Sequence, residues 1–367
     1  MENIIVYFIL FSVTIFFAHR ASQKNNIWHD YNIYIAIITF SLVVGLRWNV
    51  GLDYPTYLNL IQGYLPDYEL DRIEYVPREM MILIQKTELP FYIWFISMAC
   101  IQIVFLYLAI DRLNKFLLSW GTFFFLCLFL DFSLNIIRQV TALSVVLCAY
   151  VMYEGGKKYV YILLCVLAYG FHHSSLVIAF FIPLLARTKD ILSTKWQIIL
   201  FSTSICFKNI LPVIFSKISF MSDYVGYATI FEAVSNGGSE QIDEGSGIGV
   251  IFNYITYYFI ILNSQKIKGI IETKSGYKSF VLLYNSFFIG ICAYTATMYD
   301  MLISRFFLYF TITSIIVYAA TVDICIKSRN VGTIFGLMIV FLFIVMQVIK
   351  AITSDVEWQF VWDAGIL

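Results

Sequence analysis

The sequence predicts an all-α polytopic membrane protein with about 10–12 transmembrane or re-entrant helices. Of its 367 residues, 60% are hydrophobic and only 13% are charged, whereas soluble domains carry about a quarter charged residues. Apolar runs of membrane-spanning length recur from one end of the chain to the other. The formal net charge is zero, so we expect no nucleic acid partner.

The apolar runs define the predicted elements in order. They lie at 3–18, 31–46, 89–110, 116–134, 136–153, 158–171, 174–186, 197–215, 248–264, 279–298, 303–322 and 331–349. We expect a single integral-membrane domain over residues 1–367, with two long connections at 47–88 and 216–247. The seven cysteines form no Cys-x-x-Cys pair, so the sequence indicates neither a disulfide framework nor a cysteine metal site.

The distribution of basic residues predicts the orientation. One set of connections carries 15 of the 24 Lys and Arg residues but only six of the 24 acidic residues. The positive-inside rule makes this set cytoplasmic. Both termini and the connections 47–88 and 216–247 are then expected outside.

The stretch 158–186 tests this orientation. As one helix it would run about 43 Å, beyond a hydrocarbon core of roughly 30 Å, and it would carry Arg187, Lys189 and Lys195 outside. We therefore expect two shorter segments that enter the membrane and return, with a break at 170–175. Non-helical backbone at that depth is tolerated where it is buried in protein or lines a wet cavity.

Three arginines are predicted at the outer ends of spans, namely Arg47, Arg138 and Arg305. An Arg at depth costs about 2.5–3.5 kcal/mol, so it usually has a partner or a task. One interpretation is structural, either snorkelling or an ion pair such as Arg138–Asp131. The other is a cationic cluster that binds a lipid diphosphate, because a guanidinium stays charged and grips phosphate through two hydrogen bonds.

Outer carboxylates and one histidine are the candidate bases. We expect Asp53 to cap a short helix with Pro55 in its first turn. Glu74 lies in the same connection, and Asp300 precedes a late span. His172 lies at the predicted break, where a neutral imidazole can take a proton. The alternative for each is structural, a solvated loop carboxylate or a hydrogen-bonded core histidine. No His, Cys and carboxylate group has metal-ligand spacing, so we expect no metal ion.

Five short motifs follow one another between residues 47 and 310. They are Arg47-x-x-x-Gly51-x-Asp53-x-x-x-Tyr57, Glu74-Tyr75, Ile137-Arg138-Gln139, Phe171-His172-His173-Ser174, and Ser304-Arg305 with Tyr309. In this order they resemble the EpsG-like branch of the Wzy polysaccharide polymerases. The segment 357–362 resembles no part of that pattern.

The resemblance implies a GT-C-like glycosyltransferase of the bacterial inner membrane that needs no metal and no cofactor. It would polymerise undecaprenyl-diphosphate-linked oligosaccharide repeats into O-antigen, capsule or exopolysaccharide, with its active site facing the periplasm. Its partners would be the lipid-linked donor and acceptor, the bilayer and a chain-length regulator protein.

The candidate site follows from the motifs and the residue chemistry together. Catalysis is assigned to His172, Glu74 and Asp53, with the choice of base left open. Substrate binding is assigned to Arg47, Tyr57, Arg138, Gln139, Asp300, Arg305 and Tyr309. The alternative function is a flippase or transporter of lipid-linked oligosaccharide, which would place its cations along a central cavity.

Overall fold

The computed structural model describes residues 2–23, 29–207, 248–275, 280–298, 301–328, 331–353 and 357–365. Within these ranges the chain forms α-helices and one pair of two-residue strands. The first half comprises α1 (Glu2–Ser22), α2 (His29–Gly45), β1 (Arg47–Trp48), α3 (Tyr54–Ile61), α4 (Asp67–Asp71), α5 (Tyr75–Thr87), α6 (Tyr92–Asn114), α7 (Leu118–Asn135) and α8 (Ile137–Glu154). The second half comprises α9 (Lys158–Phe171), α10 (Leu176–Leu185), α11 (Thr194–Phe207), α12 (Ile248–Ser275), α13 (Val281–Thr297), α14 (Met301–Thr311), α15 (Ser314–Lys327), α16 (Val331–Thr353) and β2 (Gln359–Phe360).

These helices confirm the all-α polytopic class. Among the described residues three helices are long and apolar enough to cross a membrane: Asn3–Ser22, Gly332–Thr353 and Tyr92–Asn135, the last containing α6 and α7. Each apolar run of the sequence overlaps one or two helices, although residues 89–91 and 312–313 within the runs are not helical. The GT-C-like architecture and the inside–outside orientation stay predictions.

The helix α8 lies in the core of the fold. Its residues 139–152 are buried without interruption, as expected for a helix enclosed by other helices. It packs chiefly against α6 and α9. The first turn of α8 carries Arg138, which is partly exposed, and Gln139, which is buried.

The predicted break in 158–186 is confirmed. Helix α9 ends at Phe171, a 3-10 turn covers His173–Ser175, and α10 follows. The Tyr161 hydroxyl of α9 donates a hydrogen bond to the carbonyl oxygen of Ala179 in α10. One continuous helix would hold these two residues about 27 Å apart, so α9 and α10 fold back on each other.

The predicted span 303–322 is two helices, α14 and α15, which bend by 47° at their junction. Helix α13 approaches the break so closely that a Cβ on Gly290 would lie 2.8 Å from the Thr311 nitrogen. The Phe310 carbonyl there accepts hydrogen bonds from the hydroxyls of Thr313 at 2.8 Å and Ser286 at 3.3 Å. Apolar composition alone gave no sign of this break, because both halves are equally hydrophobic.

The connection 47–88 is folded into α3, α4 and α5. Asp53 precedes the first residue of α3 and Pro55 lies in its first turn, as predicted, although the Asp53 carboxylate makes no capping hydrogen bond. The other long connection, 216–247, lies outside the described residues.

The segment 357–362, which the sequence left unplaced, contributes the strand β2. It pairs antiparallel with β1, in the register Arg47 opposite Phe360 and Trp48 opposite Gln359. The Val361 N–H adds a hydrogen bond of 3.0 Å to the Leu46 carbonyl. The segment 357–362 therefore meets the beginning of the first motif, at the entrance to the connection 47–88.

Candidate functional site

Glu74 joins two of the predicted site residues. Its Oε2 forms a direct ion pair with Nη1 of Arg138, and its Oε1 lies 2.5 Å from Nδ1 of His172. The Glu74 side chain is 6% exposed, whereas those of Arg138 and His172 are 23% and 27% exposed. The Glu74 carboxylate is thus covered by the Arg138 guanidinium and the His172 imidazole, which are both partly exposed to solvent.

Three helix ends bring this group together. Glu74 immediately precedes α5, where the positive end of the helix dipole favours a carboxylate. Arg138 lies in the first turn of α8. His172 follows α9 in extended conformation, φ −159° and ψ 119°, so the break between α9 and α10 turns its ring away from the helix axis. Helix ends can aim side chains at one point because their backbone direction changes there.

Glu74 is held as a carboxylate. Burial by itself raises the pKa of Glu74, but the hydrogen bond with His172 and the charge of Arg138 outweigh it and hold the pKa at about 2. A carboxylate with so low a pKa is a weak base. Its geometry suits it instead to orient the two groups that it contacts.

Tyr57 fixes the other edge of Arg138. Its hydroxyl accepts a hydrogen bond of 2.9 Å from Arg138 Nε, and its ring packs on Trp94 with the centroids 5.0 Å apart. The indole N–H of Trp94 donates to the Pro77 carbonyl at 3.2 Å. Arg138 is therefore gripped by α3 and by the start of α5 at once.

Asp53 belongs to the same electrostatic neighbourhood. Burial raises the pKa of Asp53, and the charges of Arg305 and Arg138 counteract part of that rise. The adjacent Leu52 is 81% exposed, so this loop borders the open side of the cluster. Asp53 thus lies within electrostatic range of both Arg138 and Arg305.

The helix α14 contributes two more predicted residues. The amide of Gln139 donates a hydrogen bond of 2.8 Å to the main-chain carbonyl of Arg305. The hydroxyls of Tyr309 and Ser174 lie 3.0 Å apart, and Tyr309 also interacts electrostatically with Glu74. Gln139 therefore holds the backbone that carries Arg305, and Tyr309 ties α14 to the break after α9.

Arg47 corrects an expectation. It was expected to bind substrate, but it is 1% exposed, and its guanidinium donates to the carbonyls of Val50 at 2.9 Å, Leu134 at 3.2 Å and Val44. It also lies over the Tyr54 ring. A guanidinium enclosed in this way cannot reach a ligand, so Arg47 supports the loop beneath the site.

The alternative ion pair Arg138–Asp131 is also wrong. Asp131 pairs with Lys350 at 2.5 Å, because the turn between α7 and α8 directs Arg138 away from it. Asn135, three residues before Arg138, accepts a hydrogen bond of 2.7 Å from the Leu52 N–H. Sequence reasoning missed Asn135 as a support of the loop, although its spacing from Arg138 was visible.

The structure gives no geometry for one of the residues that were expected to bind substrate. Asp300 lies outside the described residues. Among the residues that the structure describes, no group of three His, Cys, Asp or Glu side chains converges as metal ligands would.

The cluster can perform two chemical tasks. Arg138 pairs with the Glu74 carboxylate, and both Arg138 and Arg305 interact electrostatically with the nearby Asp53. When the His172 ring is neutral, a carboxylate on Nδ1 favours the tautomer that carries its proton there, and Nε2 is then a hydrogen-bond acceptor. Anion binding and proton acceptance thus lie next to each other.

Comparison with known families and proteins gives one match. The EpsG family model matches residues 30–362, from the first turn of α2 through β2, so it includes every candidate residue named above. No curated protein matches the chain, and no solved structure matches it.

Proposed function

Because the chain belongs to the EpsG family, whose members are Wzy-type polysaccharide polymerases, we propose that it joins oligosaccharide repeats carried on undecaprenyl diphosphate. The family and the apolar helices make it a multi-pass membrane protein with a polymerase-like, glycosyltransferase function. The lipid carrier, the outer face of a bacterial inner membrane, independence from metal and a chain-length regulator as partner belong to the proposal.

The observation that carries the proposal is the bridge from Arg138 through Glu74 to His172. Glycosyl transfer from a lipid diphosphate requires a cationic site for the leaving group and an acceptor of one proton. Both groups are present here, and one buried carboxylate orients them together. Their proximity distinguishes this arrangement from scattered structural ion pairs.

Arg138 is suited to bind the diphosphate through the guanidinium hydrogens that Tyr57 and Glu74 do not accept. Its Nε is bonded to Tyr57 and its Nη1 to Glu74. Within the described part of the chain, this leaves Nη2 and the second hydrogen of Nη1 to face an anion. Arg305 supplies the second positive charge, because Arg305 and Arg138 both interact electrostatically with Asp53. The gripped guanidinium is preorganised, so it loses little side-chain freedom when the anion binds.

His172 is suited to take the proton. In the proposed step a hydroxyl oxygen of the acceptor repeat attacks the anomeric carbon of the donor glycan, and its proton passes to Nε2 of His172. The bond between the anomeric carbon and the phosphate oxygen breaks, and its electron pair leaves with the lipid diphosphate. Asp53, with its raised pKa, remains the second candidate for the base.

The flippase alternative is not favoured. A flippase would distribute its cations along a central cavity, whereas Arg138 and Arg305 both act on Asp53, and Arg138 shares the Glu74 carboxylate with His172. No second function is supported by a separate observation.

The proposal is tested with purified protein in nanodiscs and a lipid-diphosphate-linked repeat, with products sized by mass spectrometry. Wild type should give a ladder of extended glycans. His172→Gln should slow extension by about 10²–10⁴-fold, whereas His173→Gln is the matched control, because the His173 ring packs on Tyr169 at 4.8 Å. A wild-type protein that moves the lipid across a bilayer without extending it would overturn the proposal.

A further inference from the structure

The β2 segment, residues 357–363, pairs with the strand that leads into the site. β1 stands between α2 and the loop that carries Asp53 and Tyr57, and its partner strand is β2. The Val361 N–H also bonds to the carbonyl of Leu46 at 3.0 Å. The backbone at the start of the loop is therefore fixed by a segment about 310 positions later in the chain.

The β2 segment is itself firmly anchored. Trp358 and Val361 are 3% and 0% exposed. The Trp358 ring meets Tyr7 of α1 edge-on at 5.8 Å, and the main-chain N–H of Trp358 donates to Asn3 Oδ1 at 2.5 Å. The segment thus connects the first two turns of α1 to β1 and leaves β1 little freedom to shift.

A short route of contacts leads from β1 to the cluster. The Trp48 ring packs on Tyr54 at 6.1 Å, and the guanidinium of Arg47 lies 5.6 Å from the centre of the same ring. Tyr54 opens the helix α3, and one turn later Tyr57 accepts the hydrogen bond from Arg138 Nε. A displacement of β1 would therefore move the hydroxyl that holds Arg138.

We propose that the β2 segment is a positioning element of the glycosyl-transfer site, with Trp358 and Val361 as positioning residues. It fixes β1, and β1 sets through α3 where Tyr57 holds Arg138. This inference rests on the proposed function. A misplacement of about 1 Å in a site of this kind can slow a reaction about 10²-fold, so a strand far from the reacting atoms can matter.

Two pairs of variants separate positioning from general stability. Trp358→Ala removes the anchor, and Trp358→Phe keeps an aromatic ring there. Trp362→Ala is the matched control, because Trp362 is 49% exposed and stacks on Phe360 at 4.5 Å.

The second pair tests the main-chain hydrogen bond of Val361, and it keeps the inference testable if Trp358→Ala does not fold. Val361→Pro deletes the N–H that donates to Leu46, and Val361→Ala keeps that N–H while it loses methyl groups. Only the proline variant removes the hydrogen bond between Val361 and Leu46.

Two readouts are measured on the full chain in nanodiscs: hydrogen exchange of the amides in 46–54, and the rate of glycan extension from a lipid-diphosphate-linked repeat. Trp358→Ala and Val361→Pro should raise exchange in 46–54 alone and slow extension by about 10- to 100-fold. Trp358→Phe, Trp362→Ala and Val361→Ala should stay near wild type in both.

Three results would overturn the inference. They are unchanged exchange in 46–54, faster exchange there with wild-type extension, and exchange that rises throughout the protein in both Trp358→Ala and Val361→Pro. If the wild type does not extend glycans at all, the proposed function fails. The exchange readout still decides in that case whether the β2 segment fixes the loop.

Discussion

At the scale of single residues, Glu74 determines what its two neighbours can do. A buried ion pair is by itself weak support for stability, because desolvation offsets its attraction. Here the same carboxylate also bonds to an imidazole nitrogen, so it sets the direction of a guanidinium and favours one tautomer of a neutral imidazole. That double contact is the reason to assign Glu74 an orienting part and His172 the proton transfer.

Replacing Glu74 by Gln should lower stability in a pH-dependent way. The folded-state pKa of about 2 lies below the ordinary value of 4.5, so the contribution is complete above about pH 4.5 and is lost as the pH falls towards 2. At 1.36 kcal/mol per pKa unit, this shift contributes about 3 kcal/mol to the free energy of unfolding near neutral pH. Thermal unfolding of wild type and Glu74→Gln should therefore differ most at pH 7 and converge at the acid end. A gap that stays constant between pH 7 and pH 3 would contradict this account of Glu74.

Two Arg→Lys replacements should fail in different ways. Arg47→Lys leaves carbonyls of Val50, Leu134 or Val44 without their donor, at about 1–3 kcal/mol for each buried group left unpaired. It should lower protein abundance and melting temperature, while surviving protein binds a lipid diphosphate as wild type does.

Arg138→Lys should do the reverse, with near-normal abundance and a dissociation constant for farnesyl diphosphate raised at least about tenfold, because the guanidinium fork is lost. Titration in nanodiscs measures this constant. Weakened binding in Arg47→Lys, with Arg138→Lys unaffected, would mean that Arg47 binds the diphosphate and Arg138 does not.

At the scale of elements, the loop between β1 and α3 depends on one glycine. Gly51 has φ +107°, and a Cβ there would lie 2.3 Å from the Leu134 carbonyl oxygen. Such a contact cannot be relieved without moving the loop or the end of α7. The loop therefore reaches α7 only because this position has no side chain.

Gly51→Ala should sharply reduce glycan extension and lower the melting temperature. Gly63→Ala is the matched control, since its φ is +72° but the nearest atom to a Cβ would be Gln85 Nε2 at 4.0 Å. It should show only the backbone strain, about 1 kcal/mol. Equal losses in the two variants would mean that the close approach to α7 is unimportant.

The same elements show what the sequence could predict. Local chemistry predicted the break at His172 and the start of α3 at Asp53, because both depend on residues adjacent in the chain. Arg47 was assigned wrongly, because a position at the end of a span does not say which way the side chain turns. The bonds from Glu74 to His172 and from Gln139 to Arg305 join residues 98 and 166 positions apart, and only the folded chain brings such residues together.

At the scale of the whole molecule, the orientation remains a prediction that rests on the basic residues. In a variant whose native cysteines are replaced, Ser193→Cys should be shielded from a membrane-impermeant maleimide in intact cells. Leu52→Cys, at a position 81% exposed beside the cluster, should react at once if the site faces outside. Fast labelling at Ser193→Cys, or none at Leu52→Cys until the cells are opened, would reverse the assigned sides.

The whole fold also explains why several distant helices carry the site. α3, α5, α8, α9 and α14 each contribute one or two polar groups, within the helix or directly beside its end, and α8 is enclosed by its neighbours. A site assembled in this way is expected to act as a unit, so its members should not contribute independently to the rate.

The most direct test of the central claim is a double-mutant cycle on the rate of glycan extension in nanodiscs, using Glu74→Gln, His172→Gln and both together. If Glu74 acts through His172 and Arg138, wild type extends the lipid-linked repeat, each single variant loses at least about 10²-fold, and the double variant is no slower than the worse single one. Losses that multiply in the double variant, or a His172→Gln protein that extends glycans at the wild-type rate, would contradict the account.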